Sequence, residues 1–379
     1  MTRHSAIRRT PRASGRWSRR VSCWLLVHCL VAFAATFGAT VGLAGEASAE
    51  GTAEATITSP VQKGDTTEQS VCRSFRVREQ DQIWLVSTRH LGCSLGGKYL
   101  PTYQIWLYEK GTWQPKTEAD FFAADSADVV TSIYIHGNRL NANESSSFGL
   151  SFYFEFVGKL DQEPPVRFVI WSWPSDSIRG PLKDVQSKAA RSDYESYYLA
   201  CFLAKMKPEL RVGLLGYSFG ARIACGALHL TNGGSIFGNR IAAGERPQFR
   251  VALWAAAEHN YWWQPGQFHS AAPAAADAWF VTVNGCDSIL GRYRFVDACG
   301  NPEAMGYSGI YGRNLLPPDV NARIEEVNVA NIIGDSHDWR SYLYSLWIQN
   351  RTRDYILWHE LGSSSVASSA KRPMASVAE

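Results

Sequence analysis

The chain has 379 residues, of which 45% are hydrophobic, 12% aromatic and 19% charged. This much apolar material can form a core, so the composition excludes a disordered or collagen-like protein. The net charge is +3, but residues 1–49 contain seven arginines and one acid, which leaves 31 basic and 34 acidic residues in the rest. That slightly acidic remainder argues against a nucleic-acid partner, because such binding needs a dense basic patch.

We predict that residues 1–49 are a signal peptide for export. Residues 3–20 are basic, residues 21–45 are uncharged and mostly apolar, and residues 47–49 (Ala-Ser-Ala) have the pattern of a signal peptidase site. The alternative is an uncleaved membrane anchor, because a run of this length can span a bilayer. The sequence therefore predicts a periplasmic or extracellular protein, membrane-anchored only if the leader is retained.

Low-complexity segments flank the part of the chain that can fold. Residues 50–70 are small and polar, and residues 362–379 form a low-complexity tail. Neither has the apolar residues that offset the entropy lost on ordering. We therefore predict a flexible linker, one folded domain at residues 71–361, and a disordered tail.

Within that domain, apolar runs of strand length alternate with helix-length segments. The eight runs are residues 83–89, 103–109, 129–137, 166–174, 211–218, 249–257, 278–285 and 325–334. The last six leave room for crossover helices, two of which are predicted at residues 182–206 and 219–230, whereas the first two runs lie closer together. The pattern predicts an α/β fold with a mostly parallel, eight-stranded sheet, helices on both faces and an N-terminal edge hairpin.

Six cysteines remain once the leader is removed. An even number in an oxidising compartment favours pairing, and Cys72–Cys93 and Cys286–Cys299 would each close a short loop. No Cys-x-x-Cys or His-x-x-x-His spacing occurs. The sequence therefore supports neither a zinc site nor any other cofactor.

The pentapeptide Gly216-Tyr217-Ser218-Phe219-Gly220 follows a short apolar strand and opens a predicted helix. In this context G-x-S-x-G forms a nucleophile elbow, in which the glycines permit close backbone approach and the serine is strained and exposed above the sheet. The strand before and the helix after favour this interpretation over an ordinary turn. Ser218 is therefore the candidate nucleophile.

A serine nucleophile needs donors that stabilise the oxyanion of its intermediate. Residues 135–139 (IHGNR) end an earlier strand, at the place where enzymes with this elbow supply one such donor. We predict an oxyanion hole formed by the backbone N–H groups of Asn138 and Phe219. His136 is predicted to orient this loop through hydrogen bonds rather than to act as a base.

The nucleophile also needs a base, and two residues downstream complete a triad. Asp287 and His337 each follow a predicted strand, so the chain order is Ser218, Asp287, His337. Strand ends at one edge of a parallel sheet lie close together, which lets Asp287 orient His337 and His337 carry the proton. The alternatives are Asp297, Asp335 and Asp338 for the acid and His259 and His269 for the base.

Aromatic side chains near the elbow suggest a substrate pocket. Tyr217, Trp262 and Trp263 are predicted to contact substrate, with packing in the core or a lid as the alternative for the tryptophans. Arg139 and Arg222 flank the oxyanion loop and the nucleophile helix. They would bind an anionic substrate or, alternatively, form internal ion pairs.

Together these motifs resemble those of the α/β-hydrolase superfamily, and more narrowly a poorly characterised bacterial branch of it. The segments that carry the resemblance are IHGNR (135–139), IWSWPS (170–175) and GYSFGA (216–221), within about residues 129–340. The branch often has an aromatic residue after His-Gly, where this chain has Asn138. The resemblance implies an α/β-hydrolase fold, and ester or acyl hydrolysis without a defined substrate. The order of the predicted strands adds a cap insertion between Asp287 and His337.

The sequence thus predicts an exported serine hydrolase that cleaves a small-molecule ester or acyl substrate through an acyl-enzyme on Ser218. Two alternatives stay open: a catalytically silent hydrolase-fold binding protein of the cell envelope, and an acyltransferase that uses the same acyl-enzyme. Activity-based labelling and product analysis separate the three.

Overall fold

A mostly parallel β-sheet runs through the computed structural model of the chain, which describes residues 77–96, 100–296 and 300–361. The strands are β1 (Gln82–Ser87), β2 (Gln104–Glu109), β3 (Thr112–Lys116), β4 (Val130–Ile135), β5 (Val166–Ser172), β6 (Arg211–Tyr217), β7 (Gln248–Trp254), β8 (Ala278–Val283) and β9 (Ile324–Asn328). Their order across the sheet is β3-β2-β1-β5-β4-β6-β7-β8-β9. Every pair from β1 to β9 in that order is parallel, whereas β1–β2 and β2–β3 are antiparallel.

Helices cover both faces of this sheet. They are α1 (Glu118–Ala123), α2 (Ala142–Tyr153), α3 (Pro181–Leu203), α4 (Phe219–Thr231), α5 (Met305–Ser308), α6 (Pro318–Asn321), α7 (Ala330–Ile333), α8 (Trp339–Leu343) and α9 (Leu346–Ile356). In β5, Ile170 packs on Gly149 of α2, whereas the next residue, Trp171, packs on Phe202 of α3. Since successive side chains of a strand point to opposite faces, α2 and α3 lie on opposite faces. The predicted α/β class and parallel sheet are confirmed.

The predicted number of strands was wrong, because the described residues form nine. The additional strand, β3, contains Pro115 and is mostly exposed. A proline cannot donate to a sheet hydrogen bond, so it weakens the sequence signal of a strand and is tolerated at an edge, where β3 lies. β1 is an inner strand, since it pairs with β2 on one side and with β5 on the other.

The run at residues 325–334 is only partly a strand. β9 ends at Asn328, whose side-chain oxygen accepts a hydrogen bond of 2.9 Å from the N–H of Ala330, and α7 begins there. Such a local bond offers the backbone an alternative to the sheet ladder. The insertion predicted between Asp287 and His337 contains β9, which belongs to the sheet, and the short helices α5, α6 and α7.

Tryptophan contributes much of the core. The largest fully buried side chains include Trp171, Trp173, Trp254, Trp263 and Trp279. Trp171 contacts Phe202 edge-to-face and Trp263 contacts Trp279, and aromatic contacts of this kind add to the free energy gained by burial. The abundance of tryptophan in the sequence is therefore explained largely by packing around the sheet.

Several predictions fall outside the described residues, namely the signal peptide, the linker at residues 50–70 and the tail at residues 362–379. No disulfide joins the cysteines that the structure describes, Cys93, Cys201, Cys225 and Cys286. The partners predicted for Cys93 and Cys286 are Cys72 and Cys299, which are also outside the described residues, so these pairings stay predictions. Within the described ranges, no helix combines the length and apolar character needed to cross a membrane.

Candidate active site

Ser218 occupies a sharp turn between β6 and α4. Its backbone has φ +55° and ψ −119°, a conformation that costs an L-residue about 1–3 kcal/mol. The two glycines of the motif make the turn sterically feasible, because a Cβ on Gly216 would lie 2.6 Å from Cα of Ala221 and one on Gly220 would lie 2.0 Å from the carbonyl oxygen of Ile135. The pentapeptide thus forms the strained strand-to-helix turn expected from its pattern.

Three residues from the segments that follow β6, β8 and β9 meet at this turn. The Ser218 Oγ lies 3.1 Å from Nε2 of His337, and Nδ1 of His337 lies 2.7 Å from Oδ2 of Asp287. A carboxylate can only accept, so Nδ1 carries the ring proton, Nε2 is the acceptor and the Ser218 hydroxyl donates. The structure therefore brings together the three residues of the predicted triad, with the histidine ready to take the serine proton.

The carboxylate of Asp287 is fixed by its own chain. The side chain is fully buried, and its Oδ1 accepts hydrogen bonds of 2.9 Å from the backbone N–H groups of both Ile289 and Leu290. Its other oxygen, Oδ2, faces the imidazole of His337. Because Oδ1 is held by the two backbone N–H groups, the carboxylate is oriented with Oδ2 toward the histidine.

The other candidate acids have different partners or positions. Asp338 caps α8 by accepting from the N–H of Arg340 at 2.9 Å and pairs with that side chain. The backbone oxygen of Asp335 accepts from the N–H of Ser288, and the Asp335 side chain is exposed. Asp297 lies outside the described residues. Asp287 is the acid that contacts His337 in the described residues.

The loop that carries His337 is attached to its neighbours at two points. The phenolic hydroxyl of Tyr217 donates to the backbone oxygen of His337, and the two rings lie 5.5 Å apart. The side-chain amide of Asn284, at the end of β8, donates to the oxygen of Gly334 at 2.8 Å. Tyr217, predicted to bind substrate, is thus bonded to the loop of His337, and the contact made by Asn284 was not predicted from the sequence.

The loop after β4 packs directly on Ser218. A Cβ on Gly137 would lie 2.9 Å from the ring of Tyr217 and 3.1 Å from Cβ of Ser218, so only glycine allows this approach. The backbone N–H groups of Asn138 and Phe219 make no hydrogen bond to any other described residue. Phe219 is the first residue of α4, so its N–H has no acceptor within the helix. Both groups remain available to an oxyanion.

His136 is buried and holds this loop in place. Its Nδ1 donates to the oxygen of Gly137 at 2.8 Å, its Nε2 accepts from the N–H of Trp173 at 3.3 Å, and the indole N–H of Trp173 donates to the oxygen of His136 at 2.8 Å. Burial lowers the pKa of His136 to about 3, so the ring is neutral. This is the orienting role expected from the sequence, and it joins the IHGNR and WSWPS segments.

The two tryptophans predicted to bind substrate are packed inside the protein. Trp262 is 3% exposed and lies between the ring of His259 and the guanidinium of Arg222, while Trp263 is fully buried against Trp279. Neither ring presents a surface to a ligand. The packing alternative considered for these residues is the one that the structure shows.

The two arginines form internal ion pairs. The half-exposed Arg139 donates from Nε to Asp184 at 2.9 Å. Arg222 pairs with Asp193 at 2.9 Å, and both side chains are buried. Both arginines therefore form the internal ion pairs that were the alternative to substrate binding. Part of the Arg139 side chain is nevertheless exposed to solvent, whereas Arg222 is buried.

The alternative bases are engaged elsewhere. His269 lies with its Nδ1 2.8 Å from Oε1 of Glu258, and both side chains are fully buried. His259 stacks on Trp262 with ring centroids 4.2 Å apart, and its Nδ1 is 3.0 Å from the hydroxyl of Tyr293. His337 is the histidine that contacts Ser218.

The buried Glu258–His269 pair makes stability depend on pH. Burial raises the pKa of Glu258 to about 8 and lowers the pKa of His269 well below its ordinary value. Between about pH 6.5 and 8 the folded protein keeps a proton on Glu258 that the unfolded chain releases, so stability falls as pH rises. Below this window His269 takes up a proton in the unfolded chain, which offsets the effect. We expect a loss on the order of 1 kcal/mol across the window.

Urea unfolding at pH 6.5 and pH 8 measures this change in the free energy of unfolding. Glu258→Gln removes the titrating group and keeps a side chain of the same shape, so its free energy of unfolding should change less between the two pH values than that of the wild type. Equal changes in the two proteins would contradict the assignment.

No protein-family model matches the chain, and no curated protein matches it significantly. Among the described residues, no group of three or more His, Cys, Asp or Glu side chains is placed to hold a metal ion. The functional assignment therefore depends on the geometry around Ser218.

Proposed function

We propose that the protein is a serine hydrolase of the α/β-hydrolase type that cleaves carboxylic esters or related acyl compounds. The observation that carries the proposal is the continuous path from Ser218 Oγ through the imidazole of His337 to the buried carboxylate of Asp287, at 3.1 Å and 2.7 Å. A serine in a purely structural turn needs neither the strained backbone nor this relay. Activation of a nucleophile explains both.

The proposed reaction proceeds in two halves. Ser218 Oγ attacks the carbonyl carbon while Nε2 of His337 accepts the hydroxyl proton, and the tetrahedral intermediate expels the alcohol after His337 returns that proton to the leaving oxygen. The acyl group then remains on Ser218. Water attacks the acyl carbon and gives a proton to His337, and the acid leaves as Ser218 regains its hydrogen. Asp287 stabilises the imidazolium that forms in each half.

The two free backbone N–H groups supply the other requirement of this chemistry. Phe219 directly follows Ser218, and Asn138 directly follows Gly137, which packs on Ser218, so both groups would donate to the oxygen that becomes negative in the intermediate. A single donor of this kind contributes about 10²- to 10³-fold to kcat in enzymes of this type. The neutral ring of His136 supports the arrangement, because its Nδ1 holds the Gly137 carbonyl in place.

The order of the elements supports the finer assignment of fold. The nucleophile follows β6, an inner strand; the acid follows β8 and the histidine follows β9, in the chain order Ser-Asp-His. That order, with an elbow between strand and helix, is the pattern of α/β-hydrolases. The basic and apolar leader with its Ala-Ser-Ala site supports export of the enzyme.

Labelling with a fluorophosphonate tests the proposal. The reagent forms a stable adduct on a serine that is activated by a histidine, so we expect one adduct per chain, located on the peptide that contains Ser218, together with release of p-nitrophenol from p-nitrophenyl esters of graded acyl length. Ser175, buried near the site but hydrogen bonded to Leu140, provides an internal control and should carry no adduct.

A folded wild-type protein that takes up no label and cleaves no ester of the series would contradict the proposal and favour a silent binding protein. An added alcohol that captures most of the acyl group would instead favour an acyltransferase. Circular dichroism on the same sample establishes that the protein is folded.

A further inference from the structure

Asp184, in the first turn of α3, is a buried carboxylate that the proposed mechanism does not use. Its side chain is 1% exposed, and its Oδ2 accepts from the side-chain amide of Asn138 at 3.0 Å and from Nε of Arg139 at 2.9 Å. Its Oδ1 accepts from the N–H of Ile178 at 3.1 Å and lies 3.4 Å from Nζ of Lys188. One carboxylate therefore ties the loop after β4 to the loop that precedes α3.

The loop after β4 is held at further points beside Asp184. Arg139 has φ +63°, and its N–H donates to the backbone oxygen of Ser175 and to the side-chain oxygen of Asn138, each at 2.8 Å. The N–H of Leu140 donates to the Ser175 hydroxyl at 3.2 Å. Both ends of the Asn138 amide side chain are thus bonded, one to Asp184 and one to Arg139.

These contacts fix the peptide between Gly137 and Asn138 from both sides. His136 holds the Gly137 oxygen, and the Asp184 carboxylate holds the Asn138 side chain. In a trans peptide the C=O and N–H point in opposite directions, so fixing the carbonyl directs the Asn138 N–H toward the other side. Gly137 itself packs on Ser218.

We propose that Asp184 is a positioning residue for the oxyanion hole, which sets the orientation of the Asn138 N–H toward the oxygen that forms on the substrate of Ser218. This inference rests on the proposed function. It also gives the IHGNR and WSWPS segments a common role. Asn138 and Arg139 of the first segment contact Asp184, and the N–H of Arg139 donates to the backbone oxygen of Ser175 in the second.

The charges around Asp184 suit this role. Burial opposes its ionisation, but hydrogen bonds from Arg139, Ile178 and Asn138 and the charge of Lys188 together lower its pKa below the ordinary value. The group is therefore a carboxylate at neutral pH. Its negative charge would disfavour a nearby oxyanion, and the cationic side chains of Arg139 and Lys188 offset that charge locally.

Steady-state kinetics of Asp184→Asn, Asn138→Ala and the double variant test the inference. Each single change removes the side-chain contact that orients the same backbone N–H, so kcat for a p-nitrophenyl ester should fall about 10- to 100-fold while KM stays within about twofold. The double variant should be no slower than the slower single variant, because both act through one contact. Asp184→Glu, which keeps the charge, should recover part of kcat.

Glu195→Gln is the matched control. Glu195 is another buried carboxylate of α3 and pairs with Arg191 and Thr88, away from the elbow. It should lose stability, as Asp184→Asn does, and keep the kcat of the wild type. A fall in kcat shared equally by the control would show that α3 acts only through stability, and would overturn the inference.

The outcomes separate this inference from the proposed function. Wild-type protein without ester hydrolysis or phosphonate labelling would overturn both. An active wild type with an unchanged kcat in Asp184→Asn, or with a change in KM alone, would overturn the positioning role only. If Asp184→Asn does not fold, Asn138→Ala decides, because it removes the same contact from a partly exposed residue, and full activity there would overturn the role.

Discussion

Replacing Ser218 with alanine is expected to lower kcat for ester hydrolysis by roughly 10⁴- to 10⁶-fold, while the fold and KM are retained. The change removes the atom that attacks and forms the acyl-enzyme, but the backbone donors of the oxyanion hole stay in place. Steady-state kinetics with a p-nitrophenyl ester measures the loss. His337→Ala should cost a similar factor, because the hydroxyl then has no acceptor for its proton.

The double variant Ser218→Ala/His337→Ala distinguishes a catalytic unit from two independent residues. Since each single change already abolishes the same step, the double variant should be no slower than either single variant. Losses that multiply would contradict the triad. Ser218→Gly adds a structural check, because glycine adopts φ +55° without strain and this inactive variant should unfold at higher urea concentration, with a gain of about 1 kcal/mol.

Asp287→Asn is expected to lower kcat by about 10⁴-fold with little loss of structure. The backbone N–H groups of Ile289 and Leu290 both donate to Oδ1, so an asparagine must place its carbonyl oxygen there and turn its NH₂ group toward Nδ1 of His337. An NH₂ group only donates, so Nδ1 becomes the acceptor and the ring proton moves to Nε2. In that tautomer His337 cannot accept the proton of Ser218.

Asp338→Asn is the control for this prediction. Asp338 directly follows His337 in the chain, but its carboxylate is half exposed and contacts Arg340. We expect its kcat to stay within about twofold of the wild type. Wild-type activity in Asp287→Asn, or an equal loss in both variants, would contradict the assignment of Asp287 as the acid.

Local signals in the sequence predicted the parts of the site that depend on backbone constraints. The glycines at positions 216 and 220 are required by contacts of 2.6 Å and 2.0 Å that any Cβ would make, and this requirement is what the G-x-S-x-G pattern expresses. α3, predicted at residues 182–206, begins at Pro181, in agreement with the preference of proline for a first helical position. Such constraints act within a few residues, so they can be recognised without knowledge of the rest of the fold.

The sequence was less informative about side chains whose surroundings come from distant segments. Trp262 and Trp263 follow β7 in a pattern that suits either a pocket or a core, and only their contacts with Arg222 and Trp279 decide for the core. The same holds for Tyr217, predicted to contact substrate, whose hydroxyl donates to the backbone oxygen of His337, a contact that only the tertiary structure reveals. Aromatic residues fit both environments equally well, so composition cannot separate them.

The sequence by itself determined the α/β class, the turn at Ser218 and the positions of Asp287 and His337 after successive strands. Periodicity, glycine positions and strand ends are local properties, so they can be recognised in the sequence alone. The tertiary structure decided which carboxylate faces His337, how Asp184 binds the loop of Asn138, and which tryptophans are buried. These depend on distances between residues far apart in the chain. Such distances are fixed only when the sheet and its helices pack together.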